Sequence, residues 1–184
     1  DLMLDIYGDP PFVHHLFNLV CNAITDTIRY FQFRQRKSGV DLNFLTVSNC
    51  TVNMFGSSIY ENFILPYDKK LCSAFDLFGL HNCAWTINPY IDLYCKIGQL
   101  SYIDMGLDSD FKRIRDVYPN TRRAVMYTPT DLVNKSIEKI RLDISRIHNE
   151  LGPCDIVVAD IEAGTPDQRV LDFVNLTKLI QKQS

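Results

Sequence analysis

The sequence predicts an α/β fold built on a parallel sheet, and three observations predict it. Short apolar or β-branched runs alternate with longer stretches whose apolar residues recur at helical spacing. The connections are short and carry helix-starting or helix-breaking residues such as Ser38-Gly39, Asp108 and Gly152-Pro153. Strand and helix never occur in separate blocks, as they would in an α+β chain.

In order, Pro10-Pro11 opens a helix, since proline is tolerated in a first turn, and Phe12, Leu16, Ala23 and Ile28 continue it to about Lys37. Residues 41–47 read as the first strand. Ser57 or Ser58 caps the next helix, which Pro66 kinks or divides. The second strand is 77–81, followed by a short helix from Pro89 to Gly98, and the third is 100–104. Asp108 caps a helix that stops before Pro119, and 123–127 is the fourth strand. Thr130 or Asp131 caps one long helix through Ile137, Ile144 and Leu151, and Gly152-Pro153 ends it. The fifth strand is 155–159, and Thr165-Pro166 starts the last helix.

Composition narrows the function classes. Of 184 residues, 46% are hydrophobic and 22% charged, enough apolar material for one core, so residues 1–184 are read as a single domain. With 19 basic against 22 acidic residues and no basic block, nucleic acid is not the expected partner. No apolar run approaches the ~18 residues that span a membrane. The opening Asp1-Leu2-Met3-Leu4-Asp5 is no signal peptide and lacks an initiator Met, as in a trimmed chain. Cys21, Cys50, Cys72, Cys83, Cys95 and Cys154 are irregularly spaced, which fits reduced cysteines in the cytoplasm, most of them packing residues.

Two parallel architectures compete. A doubly wound sheet usually carries a Gly-rich phosphate loop after its first strand, and Val47-Ser48-Asn49-Cys50 offers none. A β/α barrel gathers polar residues at the C-terminal strand ends. Here the strands end in Ser48/Asn49, His81/Cys83, Asp104, Tyr127/Thr128 and Asp160/Glu162. A whole barrel takes eight strands and about 250 residues. The chain is therefore read as the C-terminal part, about five β/α units, of a TIM-type (β/α)8 barrel lacking its N-terminal units.

The stretch Phe78-Gly79-Leu80-His81-Asn82-Cys83 carries the chemistry. On an extended strand, residues i and i+2 share a face about 6.5 Å apart. Both can then reach one Zn²⁺, with bonds of about 2.0 Å to nitrogen and 2.3 Å to sulfur. The bland reading is a buried Cys beside a His that merely hydrogen-bonds. Asn49, Asp104 and Tyr127 stand on the barrel lip as substrate-binding candidates, Asp104 also as a partner for the free ring nitrogen of His81. Trp85 is expected to pack the pocket wall, and Arg122-Arg123 to be solvated at the opposite end.

Ile64-Leu65-Pro66-Tyr67, His81-Asn82-Cys83 and Gly164-Thr165-Pro166 together resemble the uroporphyrinogen decarboxylase superfamily, over nearly the whole chain and about the C-terminal half of a member. His-x-Cys at that strand end is similar to its zinc- and cobalamin-dependent methyltransferase branch. The resemblance implies zinc and methylcobalamin or a corrinoid protein as co-substrate. It implies a small-molecule methyl donor or acceptor, with the missing barrel half or a second copy covering the sheet edges. In that branch a later Cys, near the end of the last strand, completes the metal site; here Ala159 takes its place, and Cys154 precedes the strand. Asp160 or Glu162 is then the expected third ligand, with the fourth position left for substrate. Alternatives are a porphyrinogen-type decarboxylase, whose acidic and arginine residues would lie outside this chain, or a degenerate barrel that binds a ligand or corrinoid protein without turnover.

Overall fold

The computed structural model describes residues 2–182. Helices α1 (Leu2–Gly8) and α2 (Pro10–Lys37) lead in. The Asp9 carboxylate between them accepts the Phe12 N–H at 3.1 Å, while Pro10 and Pro11 fill first-turn positions that need no donor. Strand β1 (Phe44–Ser48) follows. Then α3 (Ser57–Ile59) runs through a π turn at Tyr60–Ile64 into α4 (Leu65–Cys72). The π turn has a local cause: Pro66 has no N–H to return to Asn62, and the extra residue is absorbed just before it, where Leu65 N–H bonds Tyr60 O.

Next come β2 (Leu77–His81), α5 (Ile91–Tyr94), β3 (Tyr102–Met105), α6 (Phe111–Val117) and β4 (Arg122–Met126). The chain continues with α7 (Pro129–Asn134), α8 (Ile137–Leu151), β5 (Asp155–Val157) and α9 (Asp167–Gln181). Two helix starts differ from expectation. Asp110, not Asp108, caps α6, accepting Arg113 N–H at 3.1 Å. The expected single helix after β4 is two, because Ser136 supplies a second cap, with Lys139 N–H at 3.3 Å, and Lys135 is extended.

The five strands pair in parallel in the order β1-β2-β3-β4-β5. They agree with the sequence assignment to within three residues at every end, and the class is α/β, consistent with part of a TIM-type barrel. Strands laid down in sequence order with right-handed crossovers send every helix to one face. That face packs Leu45, Phe78, Leu80, Ile103 and Val125 against the helices. Under α7–α9 a second cluster forms around Tyr127, Ile140, Ile144 and Phe173.

The opposite face carries Phe44, Thr46, Tyr102, Asp104, Arg122, Ala124 and Val157 and borders an open cavity of about 840 Å³. In a closed barrel this would be the interior. Gly79 makes room on it: a Cβ there would stand 2.9 Å from Tyr102 Cβ. Among the described residues, β1 and β5 each pair on one side only. No helix among them is long and apolar enough to cross a membrane.

Candidate metal centre

His81 is the last residue of β2 and pairs in register with Ser48, the last of β1. Beyond that point, Asn49 N–H still bonds His81 O at 2.7 Å. Both chains then leave the sheet side by side, and Cys50, His81 and Cys83 converge. Their ligand atoms all lie within 4.8 Å of one another, the one such cluster found among the described residues. The His81 Nε2 to Cys83 Sγ distance is 3.1 Å, and Cys50 Sγ lies 2.9 Å from Ser48 Oγ.

The convergence does not arise by strand alternation. β2 stops at His81, and Cys83 sits at φ 56°, in the left-handed region that non-glycine residues seldom adopt. That bend turns the thiol back toward Nε2, at a local cost of about 1 kcal/mol or more. A tight crossing holds it: Gly106 N–H bonds Trp85 O at 2.8 Å, and a Cβ on Gly106 would lie 1.8 Å from Ala84 O. No side chain but hydrogen fits there.

Asp104 fixes the imidazole from behind. Its Oδ2 lies 2.6 Å from His81 Nδ1 and accepts Tyr102 Oη–H at 3.0 Å, while Oδ1 accepts Asn82 N–H at 2.6 Å. A carboxylate on Nδ1 favours the tautomer with the proton there, leaving the Nε2 lone pair facing the two thiols. The Asn82 side chain closes the ring, donating to Asp104 O at 2.9 Å and accepting from Tyr94 Oη at 2.7 Å. Burial, then Cys50 and the charges of Asp104 and Asp160, push the Cys83 thiol up to about 12. Those surroundings disfavour a lone thiolate and favour a bound cation.

The donor set fits zinc. Two sulfurs and one imidazole form a Cys₂His set, one that catalytic zinc uses with its fourth place open. A tetrahedral zinc needs ligand separations of about 3.3–3.8 Å, within small side-chain movements of those present.

The other sequence-derived candidates fall as follows. Asp160 (φ 56°) and Glu162 are exposed past β5 and are not in the converging set, whose third member is Cys50. Asn49 is buried and donates to Asp68 Oδ2 at 3.2 Å. Asp104 is buried behind His81, and its residue borders the open cavity. Tyr127 turns into the α7–α9 cluster, where its hydroxyl donates to Asp143 at 2.9 Å. Trp85, expected in a pocket wall, is 53% exposed. Arg123, expected to be solvated, is buried because its guanidinium caps the carbonyls of Tyr118, Pro119 and Pro153, whereas Arg122 is exposed and pairs with Asp155 at 2.6 Å. The residue that sequence reasoning passed over is Cys50. Its signal was its place two residues past the end of the neighbouring strand.

Comparisons with known proteins add a fold neighbour. No family model matches the chain, and no curated protein does. Among solved structures it is similar to a methyltransferase from Methanosarcina mazei, with TM-score 0.56 and 16% identity over 76% of this chain and 42% of that one. The likeness is one of fold, and the chain corresponds to less than half of that structure.

Proposed function

We propose that this chain is the zinc-bearing part of a corrinoid-dependent methyltransferase of the uroporphyrinogen decarboxylase-like kind. The convergence of Cys50, His81 and Cys83, with Asp104 behind the imidazole, carries the reading. A fold neighbour that is a methyltransferase supports it, as does the His81-Asn82-Cys83 resemblance. Cys50 takes the place of the later cysteine that Ala159 denies, so the set is complete within two adjacent β/α units.

When bound, zinc supplies Lewis acidity that holds a thiol as a thiolate, the form that attacks a methyl group on a corrinoid cobalt. The chain's residues prepare that place. Cys50 and Cys83 offer two thiolates that balance a dication, and neutral His81 adds none, so an incoming thiolate is not repelled by excess charge. Asp104 holds the imidazole orientation and keeps its proton on Nδ1. Exposed Asp160 and Glu162 form an acidic rim beyond the set. The open face beside His81 and Tyr102 is the side from which a small-molecule methyl donor or acceptor would reach the centre. The rest of a barrel, or a second copy, would cover the unpaired edges of β1 and β5.

The test is zinc content and demethylation of methylcobalamin by 2-mercaptoethanol. One zinc per chain, lost together with thiol-dependent demethylation in Cys50→Ser and Cys83→Ser, is the expected result. A chain without zinc contradicts the zinc assignment. Demethylation that survives both substitutions contradicts the assignment of the chemistry to this centre.

A further inference from the structure

Beneath the centre lie buried groups that the proposed chemistry does not use. Three tyrosines pack together: Tyr60 and Tyr94 meet edge-on at 5.3 Å between ring centres, and Tyr90 and Tyr94 stack at 5.8 Å. All three are at most 2% exposed. The hydroxyls of Tyr90 and Tyr94 point at the loops that carry the ligands, and that of Tyr60 at a carboxylate that holds Asn49. Tyr60 donates to Asp68 Oδ2 at 2.6 Å, the same oxygen that accepts Asn49. Tyr90 donates to Val52 O at 2.9 Å and to Phe55 O, in the segment after Cys50. Tyr94 touches the second loop, donating to Asn82 Oδ1 at 2.7 Å, and its ring packs edge-on against that of Tyr60, whose acceptor Asp68 also holds Asn49.

Asn49 immediately precedes Cys50, and Asn82 lies between His81 and Cys83. We propose that Tyr94 is the positioning residue that sets His81 and Cys83 against Cys50, its hydroxyl gripping Asn82 in the loop between those two ligands. The inference rests on the metal reading for its purpose but not for its geometry. Its physical basis is cost: Asn82 is 0% exposed, so its loop moving away from Tyr94 strands a buried amide. The grip therefore narrows the range of Cys50–Cys83 separations before any metal arrives, and preorganisation of that kind raises affinity. A ring packed only for bulk would need no hydroxyl there.

The variant is Tyr94→Phe, which keeps the ring and removes the hydroxyl. Tyr118→Phe is the control, since that hydroxyl is also buried but donates to Ile91 O, away from both loops. Two readouts apply to the full chain. The first is Co²⁺ titration, reading affinity and the thiolate-to-cobalt charge-transfer bands. The second uses metal-free protein: the equilibrium of the Cys50–Cys83 disulfide with glutathione, mapped by mass spectrometry. There two thiols and one oxidised glutathione give one protein disulfide and two reduced glutathiones. Tyr94→Phe is expected to weaken cobalt about tenfold, the lower end of what outer groups contribute, with altered charge-transfer bands. It is also expected to lower the Cys50–Cys83 pairing constant, while Tyr118→Phe changes neither. If Tyr94→Phe matches the parent in both readouts, or Tyr118→Phe shifts them equally, the positioning role is overturned. A parent that binds no cobalt, with Cys50–Cys83 pairing still lowered by Tyr94→Phe, upholds the positioning role and refutes the metal reading.

Discussion

The ends of β1–β3 and those of β4–β5 look alike in sequence and behave differently in the fold. Both gather polar side chains at or just past an apolar run: Asn49, His81, Asn82 and Asp104 in one, Tyr127, Thr128, Asp160 and Glu162 in the other. At β1–β3 these groups are buried or half-buried and bonded to one another: Asp104 to His81, Tyr102 and Asn82, and Asn49 to Asp68. At β4–β5 Tyr127 is buried but the charged groups stay partly or fully exposed. Lys135 bridges Asp131 and Asp143 at 3.3 and 2.8 Å, Tyr127 leans into that group, and Asp160 and Glu162 are exposed. Partly exposed pairs of this kind contribute little to stability, whereas in a buried polar network each group left unsatisfied is costly. Polar residues at a strand end thus mark a candidate centre only where the fold removes them from water.

Substitution tests this contrast most strongly at the ligands. His81→Ala, Cys50→Ser and Cys83→Ser should each weaken zinc by more than the 10–100-fold typical of outer groups. Asp160→Asn and Glu162→Gln should leave it within about twofold, read by competition with a chromophoric chelator. A large loss in Glu162→Gln with none in Cys50→Ser would reverse the two regions' roles.

The buried network should also make stability depend on pH. Burial raises Asp68 from 3.8 to about 6, against the hydrogen bonds from Tyr60 and Asn49 that pull it down. The folded state therefore holds the proton more tightly than the unfolded chain. Stability from this group is fully present below about pH 4 and lost as pH rises through about 6. In urea unfolding of metal-free protein, the parent should lose up to about 3 kcal/mol relative to Asp68→Asn between pH 4 and 7.5. A pH-independent difference between the two would remove Asp68 from the account.

Smaller effects follow at the second layer and in the other region. Asp104→Asn should cost zinc about 10–100-fold by freeing the imidazole. Tyr127→Phe should cost about 1 kcal/mol of stability, through its bond to Asp143, and leave zinc affinity unchanged. A zinc effect there would extend the centre into the β4–β5 region.

Much of the fold was legible because parallel strands and amphipathic helices write themselves in short-range periodicity. The split of α7 from α8 was not, since Ser136 resembles any helix-surface serine until Lys135 is seen to be extended. His81 and Cys83 were legible as a pair, but for a reason the structure replaces: a left-handed bend at Cys83 instead of an extended strand. Cys50 was missed because its one signal, a place two residues past the end of β1, gains meaning only once the neighbouring strand is known. Only the register of Ser48 against His81 brings it across. Asp68, Tyr60 and Tyr94 were read as helix residues, and their roles depend on contacts between elements that no periodicity encodes.

The central claim is that Cys50, His81 and Cys83 form one zinc centre, and zinc K-edge X-ray absorption on the zinc-loaded protein tests it most directly. The account predicts two sulfurs at about 2.3 Å and one imidazole nitrogen at about 2.0–2.1 Å, falling to one sulfur in Cys50→Ser. A parent with a single sulfur and carboxylate oxygen in the other's place, or one that takes up no zinc, would contradict it.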